Sequence, residues 1–104
     1  MIIRIVKMQF HPEKVDTFLD VFHNSADQIR NFSGCQHLEL YKHESTPGLL
    51  FTYSYWQDAE SLENYRKSEL FQTTWAKTNI LFSAKAEAWS LKRIWNASRP
   101  EIIE

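Results

Sequence analysis

One cysteine, two glycines and three prolines stand among the 104 residues, and each scarcity excludes something. A lone Cys35 can form no intrachain disulfide, which points to a reducing compartment and, we expect, the cytoplasm. Little glycine and proline, with 43% hydrophobic residues, argues against a disordered or low-complexity chain. Neither sign of charge dominates, with 12 Lys and Arg against 13 Asp and Glu. No basic stripe is visible, so neither nucleic acid nor an anionic membrane is an expected partner. Long apolar runs are missing as well. The opening MIIRIVKMQF is interrupted by Arg4 and Lys7 and reads as too short and too charged for a signal peptide or a membrane span. HxH, HExxH and CxxC spacings are absent, and Gly34 and Gly48 are too far apart to form a phosphate loop or dinucleotide fingerprint. We therefore expect no metal and no cofactor.

What is present is periodicity. Residues 2–10 read as a strand, with Ile2, Val6, Met8 and Phe10 on one face and Ile3 and Ile5 on the other. Pro12 suits a first helical turn, and Val15, Phe18, Leu19, Phe22, Ala26 and Ile29 form one apolar stripe of a helix over about 12–32. Gly34 is placed to end it. Residues 35–43 alternate again: Leu38 and Leu40 point one way, and His37, Glu39, Tyr41 and His43 the other. The turn ESTPG leads to the strand LLFTYSYW. Asp58 and Ser68 are suited to cap helices over about 59–66 and 69–82. AKAEAWSLKRIW, residues 84–95, reads as the last strand, and 96–104 as a tail beyond a domain of residues 1–95.

The order is β-α-β-β-α-β, an α+β ferredoxin-like fold with an antiparallel sheet and its helices on one face. Both faces of the first and third strands carry large apolar groups, but the chain's own helices cover only one. The economical cover for the other is a second copy, so a homodimer joined through the sheet is expected.

The whole pattern resembles the antibiotic biosynthesis monooxygenase (ABM) family of dimeric α+β barrels. The resemblance is carried by MIIRIVKMQF, FSGCQHLELYKH, LLFTYSYW with its terminal Trp56, DAESLENYRKSELF and the closing KAEAWSLKRI. It implies a homodimer and a site between helices and sheet, in a family that includes cofactor-independent oxygenases of quinols and anthrones and haem-degrading monooxygenases. The haem-degrading branch uses an asparagine in the first strand and a tryptophan followed ten residues later by a haem-ligating histidine. Val6 or Lys7 falls at the asparagine's place here, Tyr65 at the tryptophan's and Trp75 at the histidine's. Without that imidazole the iron lacks its proximal ligand, so haem cleavage by that route is not expected.

The resemblance thus implies a cofactor-independent monooxygenase taking a hydrophobic or aromatic small molecule and dioxygen. Some relatives place asparagine, tryptophan and tyrosine around the pocket-facing helix, where this chain offers Asn64, Tyr65, Phe71 and Trp75. Imidazole titrates near neutral pH, which makes His37, on one strand face with Glu39 and Tyr41, an acid–base candidate beside Tyr65. Trp56, Phe71 and Trp75 are expected to shape the pocket and Arg66 to meet an anionic substrate at its mouth. Each also has a plainer reading. Phe71, Trp75, Thr78 and Phe82 follow helical spacing and suit a core, His37 suits a solvated or partner-facing strand, and Arg66 suits a surface ion pair. A non-catalytic dimeric module that holds a hydrophobic small molecule is the alternative in a different class. Haem binding without the usual histidine is a third.

Overall fold

The period-two pattern produces strands and the period-three-to-four pattern helices, in the expected order. In a computed structural model that describes residues 1–97, β1 spans Ile2–Gln9, α1 Val15–Arg30, β2 Cys35–Lys42 and β3 Leu49–Trp56. They are followed by α2 over Ala59–Arg66, α3 over Glu69–Asn79 and β4 over Glu87–Leu91. All pairings are antiparallel and the strands lie in the order β2-β3-β1-β4, the ferredoxin-like α+β arrangement. Among the described residues no helix is long and apolar enough to cross a membrane.

The helices share one sheet face. Met8, Phe10 and Leu50 are buried there against Phe18 of α1 and Leu81, with Val15, Leu19 and Phe22 closing the stripe. A second cluster joins Cys35 and Trp56 to Leu62 of α2, with Phe32 and Tyr65 packed on it. The opposite face carries Ile5, Phe51, Tyr53, Tyr55 and His37, which follows from the pairing of β1, β3 and β2.

Several ends differ from the sequence reading. Pro12–Lys14 is a 3-10 turn, closed by the Lys14 N–H donating to the His11 carbonyl at 2.8 Å, so the α-helix starts only at Val15. It stops at Arg30, where both the backbone N–H and the side-chain amide of Asn31 donate to the Asp27 carbonyl. Gly34 then turns the chain at φ +90°, and a side chain there would collide with Ser61. The caps fall as expected: Asp58 accepts from the Ser61 N–H at 2.8 Å and Ser68 from the Phe71 N–H at 3.1 Å. α3 ends at Asn79 rather than 82, and Phe82 forms an isolated bridge to Phe10 instead of a last helical turn.

β4 is shorter than the expected 84–95, because β1 supplies partners only from Ile3 to Lys7. Ser83 donates its N–H to Gln9 at 2.8 Å before the chain leaves the sheet and returns at Glu87. Of the tail expected over 96–104, residues 98–104 lie outside the described residues.

A feature absent from the sequence reading is a bulge in β2. Cys35 lies opposite Trp56 and His37 opposite Tyr55, so Gln36 is an extra residue against β3. Positions two apart share a face in a regular strand, but the bulge sends Cys35 under the helices and His37 to the far side.

Candidate functional site

Large side chains on the helices face small ones on the strands, and the mismatch leaves a space. Thr52 and Ser54 of β3 point toward the helices, as do Ala88 and Ser90 of β4, which pair with Val6 and Arg4 on that face of β1. Opposite them stand Phe18 and Phe22 of α1, Tyr65 of α2, and Phe71 and Trp75 of α3. The result is a cavity of about 360 Å³ between sheet and helices, within the ordinary range for a small-molecule site.

Its wall is a run of touching rings. Trp56 stacks on Tyr65 with centroids 4.9 Å apart, Tyr65 meets Phe71 edge-on at 5.2 Å, and Phe71 stacks on Trp75 at 5.8 Å. Trp75 meets Phe82 at 5.5 Å, and Phe82, Phe10 and Phe18 continue the chain into the core. Phe71, Trp75 and Tyr65 are thus both core and cavity wall. Trp56 is only 1% exposed, and its indole N–H donates to Ser54 Oγ at 2.9 Å. It is floor rather than a donor to a ligand.

The polar groups concentrate at the Trp56 end. Burial, with a smaller effect from the nearby Cys35 thiol, pushes the Tyr65 phenol up to about 12. At neutral pH it is a hydrogen-bond donor and not a base. Arg66, in the last turn of α2, also lines the cavity and lies 3.5 Å from Glu63, both side chains being about half exposed. Arg4 was missed in the sequence reading. It occupies a helix-facing position of β1, between Ser54 and Ser90 in the pairing, and donates from Nη1 to Ser90 Oγ at 3.0 Å. Burial, then the like charge of Arg66, lowers its pKa. The signal for it was present: Ile2, Arg4, Val6, Met8 and Phe10 share one parity, and a charge among four core-facing apolar residues needs a reason.

The expected site residues therefore divide. Tyr65, Trp56, Arg66, Phe71 and Trp75 line one cavity. His37 lies beyond the sheet, with Nε2 at 3.1 Å from Glu39 and its ring 4.9 Å from Tyr55. Within one chain, His37 and Tyr65 cannot reach the same small ligand. Glu39 is held below the usual carboxylate range by hydrogen bonds from Tyr41 and then from His37, which makes a polar row on the open face. Asn64 is exposed on α2. Cys35 is buried, and desolvation raises its thiol pKa, so it is poorly suited to act as a nucleophile. Among the described residues no three His, Cys, Asp or Glu side chains come together as metal ligands would.

A small α+β sheet roofed by helices, with an aromatic cavity between the layers, defines a class. The antibiotic biosynthesis monooxygenase family model matches residues 1–77, and the chain belongs to that family. An antibiotic biosynthesis monooxygenase of known structure superposes with a TM-score of 0.85 at 18% identity, covering 90% of this chain and 99% of that one. A conserved protein from Methanosarcina mazei Go1 gives 0.83 at 23% identity, covering 89% and 93%. Rv0793 from Mycobacterium tuberculosis gives 0.84 at 18% identity, covering 93% and 98%. At these identities the likeness is one of fold. No curated protein matches the chain significantly.

Proposed function

We propose that this chain is a cofactor-independent monooxygenase whose substrate is an electron-rich aromatic of the quinol or anthrone type. The observation that carries the reading is the cavity itself, walled by Trp56, Tyr65, Phe71 and Trp75 and bordered by two guanidinium groups. An aromatic ligand stacks on such a wall. Its phenol or enol ionises more readily beside Arg4, Arg66 and the neutral Tyr65 hydroxyl, because each favours the negative oxygen. The resulting carbanion takes up dioxygen at the ring carbon. For an anthrone, the CH2 carbon becomes a carbonyl holding one oxygen atom, and the second oxygen leaves as water with the two hydrogens. Four electrons pass from substrate to dioxygen. In this scheme Tyr65 donates a hydrogen bond to the substrate oxygen, while Phe71 and Trp75 orient the ring and keep water out.

A homodimer completes the proposal. Tyr41, Trp89 and Leu91 are 48%, 44% and 45% exposed, and with Ile5, Phe51 and Tyr53 they make an open apolar sheet face suited to a second copy. His37 stands on this face, and a place at the interface agrees with its row of partners.

A second reading has its own support. Among the described residues no histidine lines the cavity, and the one carboxylate residue there, Glu87, stands opposite Lys7 in the strand register, with the parity of the open face. A module that only holds a hydrophobic molecule needs no base. Oxygen uptake by metal-free protein with a panel of quinols and anthrones, corrected for autoxidation, separates the two. Saturable uptake with one atom of labelled dioxygen carried into the product supports the oxygenase. Tight binding without uptake leaves the module.

A further inference from the structure

The geometry points to a cavity built for an anionic ligand: a carboxylate at the Arg4–Arg66 end, joined to a flat apolar body that runs toward Phe18 and Phe22. Four observations lead there. Arg4 lies on the helix-facing side of β1, a side otherwise occupied by Ile2, Val6, Met8 and Phe10. Its one hydrogen bond to a described residue is with a neutral hydroxyl, Ser90 Oγ. Among the described residues, no carboxylate lies within 4.0 Å of it, whereas Arg66 has Glu63 at 3.5 Å. Finally, Arg66 lines the same cavity closely enough for the two positive charges to interact.

Two like charges beside one cavity repel, and one of them, Arg4, has no carboxylate within 4.0 Å among the described residues. That arrangement costs stability in the empty protein and favours a ligand that brings negative charge. Guanidinium matches carboxylate geometry through paired N–H donors. The remaining titratable groups at this end do not supply the charge. Tyr65 is neutral and Glu63 faces Arg66 and Lys67, while Glu87, which also borders the cavity, stands opposite Lys7 in the strand register, with the parity of the open face, and makes no ion pair with Arg4 among the described residues.

The other end of the cavity is apolar. Met8, Phe18 and Phe22 line it, four residues along β1 from Arg4. Four strand residues span roughly 13 Å, which suits two or three fused rings carrying an acid at one end. Ser54 and Ser90 flank Arg4 with side chains small enough to leave the guanidinium accessible from the cavity.

The inference rests on the proposed function insofar as both place the ligand in this cavity, but it needs no oxidation. Its test is calorimetric titration of the full chain with 2-naphthoate and anthracene-2-carboxylate, each beside its methyl ester. At least one acid is expected to bind about tenfold or more tightly than its ester, as a charge-assisted contact would give. Arg4→Gln should bring that ratio close to one, and Arg4→Lys should restore part of it. If Arg4→Gln loses its native circular dichroism, Arg66→Gln takes its place, with a smaller fall in the ratio expected. Equal affinity for acid and ester, an unchanged ratio in the folded variants, or no binding by either acid would overturn the inference. The acids are not oxidisable in the manner of quinols, so the two readings fail separately. Acid preference without oxygen uptake on the quinol panel removes the oxygenase alone, and uptake of a neutral anthrone without acid preference removes the anion site alone.

Discussion

The ring of Tyr65 lies over that of Trp56, 4.9 Å between centroids and 25° from parallel, so the first helix after β3 is clamped to the last residue of that strand. The stack fixes where the Tyr65 hydroxyl sits, and the same burial keeps its proton on. Core and candidate chemistry are therefore the same pair of rings.

Tyr65→Phe separates them. The stack and the edge contact to Phe71 persist, so native circular dichroism and melting temperature should hold. Under the oxygenase reading, loss of one preorganised donor should lower kcat about 10²-fold or more. Oxygen uptake under saturating quinol reads it, and an unchanged kcat removes Tyr65 from the proton chemistry.

The same phenol predicts an alkaline limit. Its folded pKa, about 12, lies above the ordinary tyrosine value of about 10. Below the unfolded value both states hold the proton and folding keeps its full stability. Above it the unfolded chain ionises first, so stability falls between about 10 and 12, by about 2–3 kcal/mol in all. Urea unfolding at stepped pH should show this slope in the wild type and a shallower one in Tyr65→Phe. Parallel slopes would mean that the phenol is not desolvated.

Ser54→Ala tests the cavity floor. It strips the acceptor from a buried indole N–H, which should cost about 1–3 kcal/mol. Denaturant titration followed by tryptophan fluorescence measures it. A loss well under 1 kcal/mol would show that Trp56 finds another acceptor.

Trp89→Glu tests the open sheet face. Trp89 is 44% exposed on the edge strand, so the variant should fold, yet a charge there opposes docking of an apolar face. Sedimentation is expected to give twice the chain mass for the wild type and the chain mass for the variant. A wild type that sediments as a monomer at micromolar concentration ends the dimer proposal.

Much of this was legible in the residues. Alternation placed Leu50, Thr52, Ser54 and Trp56 on one face of β3, and the structure turns that face to the helices. Asp58 and Ser68 announced their helices because capping is local chemistry, settled within three residues. Five of the six expected site residues meet in one cavity for a similar reason, since helix and strand periods fix which side chains share a side. His37 escaped because periodicity groups residues by parity without saying which group the helices cover. Arg4 escaped because a charge in a strand reads as surface until the layer above it is known.

The sequence by itself determined the elements, their order, their caps and the two faces of each strand, all of which depend on neighbours within a turn or a pleat. Only the tertiary structure decided which sheet face is roofed, that Gln36 forms a bulge dividing Cys35 from His37, and that Arg4 and Arg66 line one cavity. Those depend on contacts between residues tens of positions apart, where the shapes of facing side chains, large on the helices and small on the strands, set the space that remains.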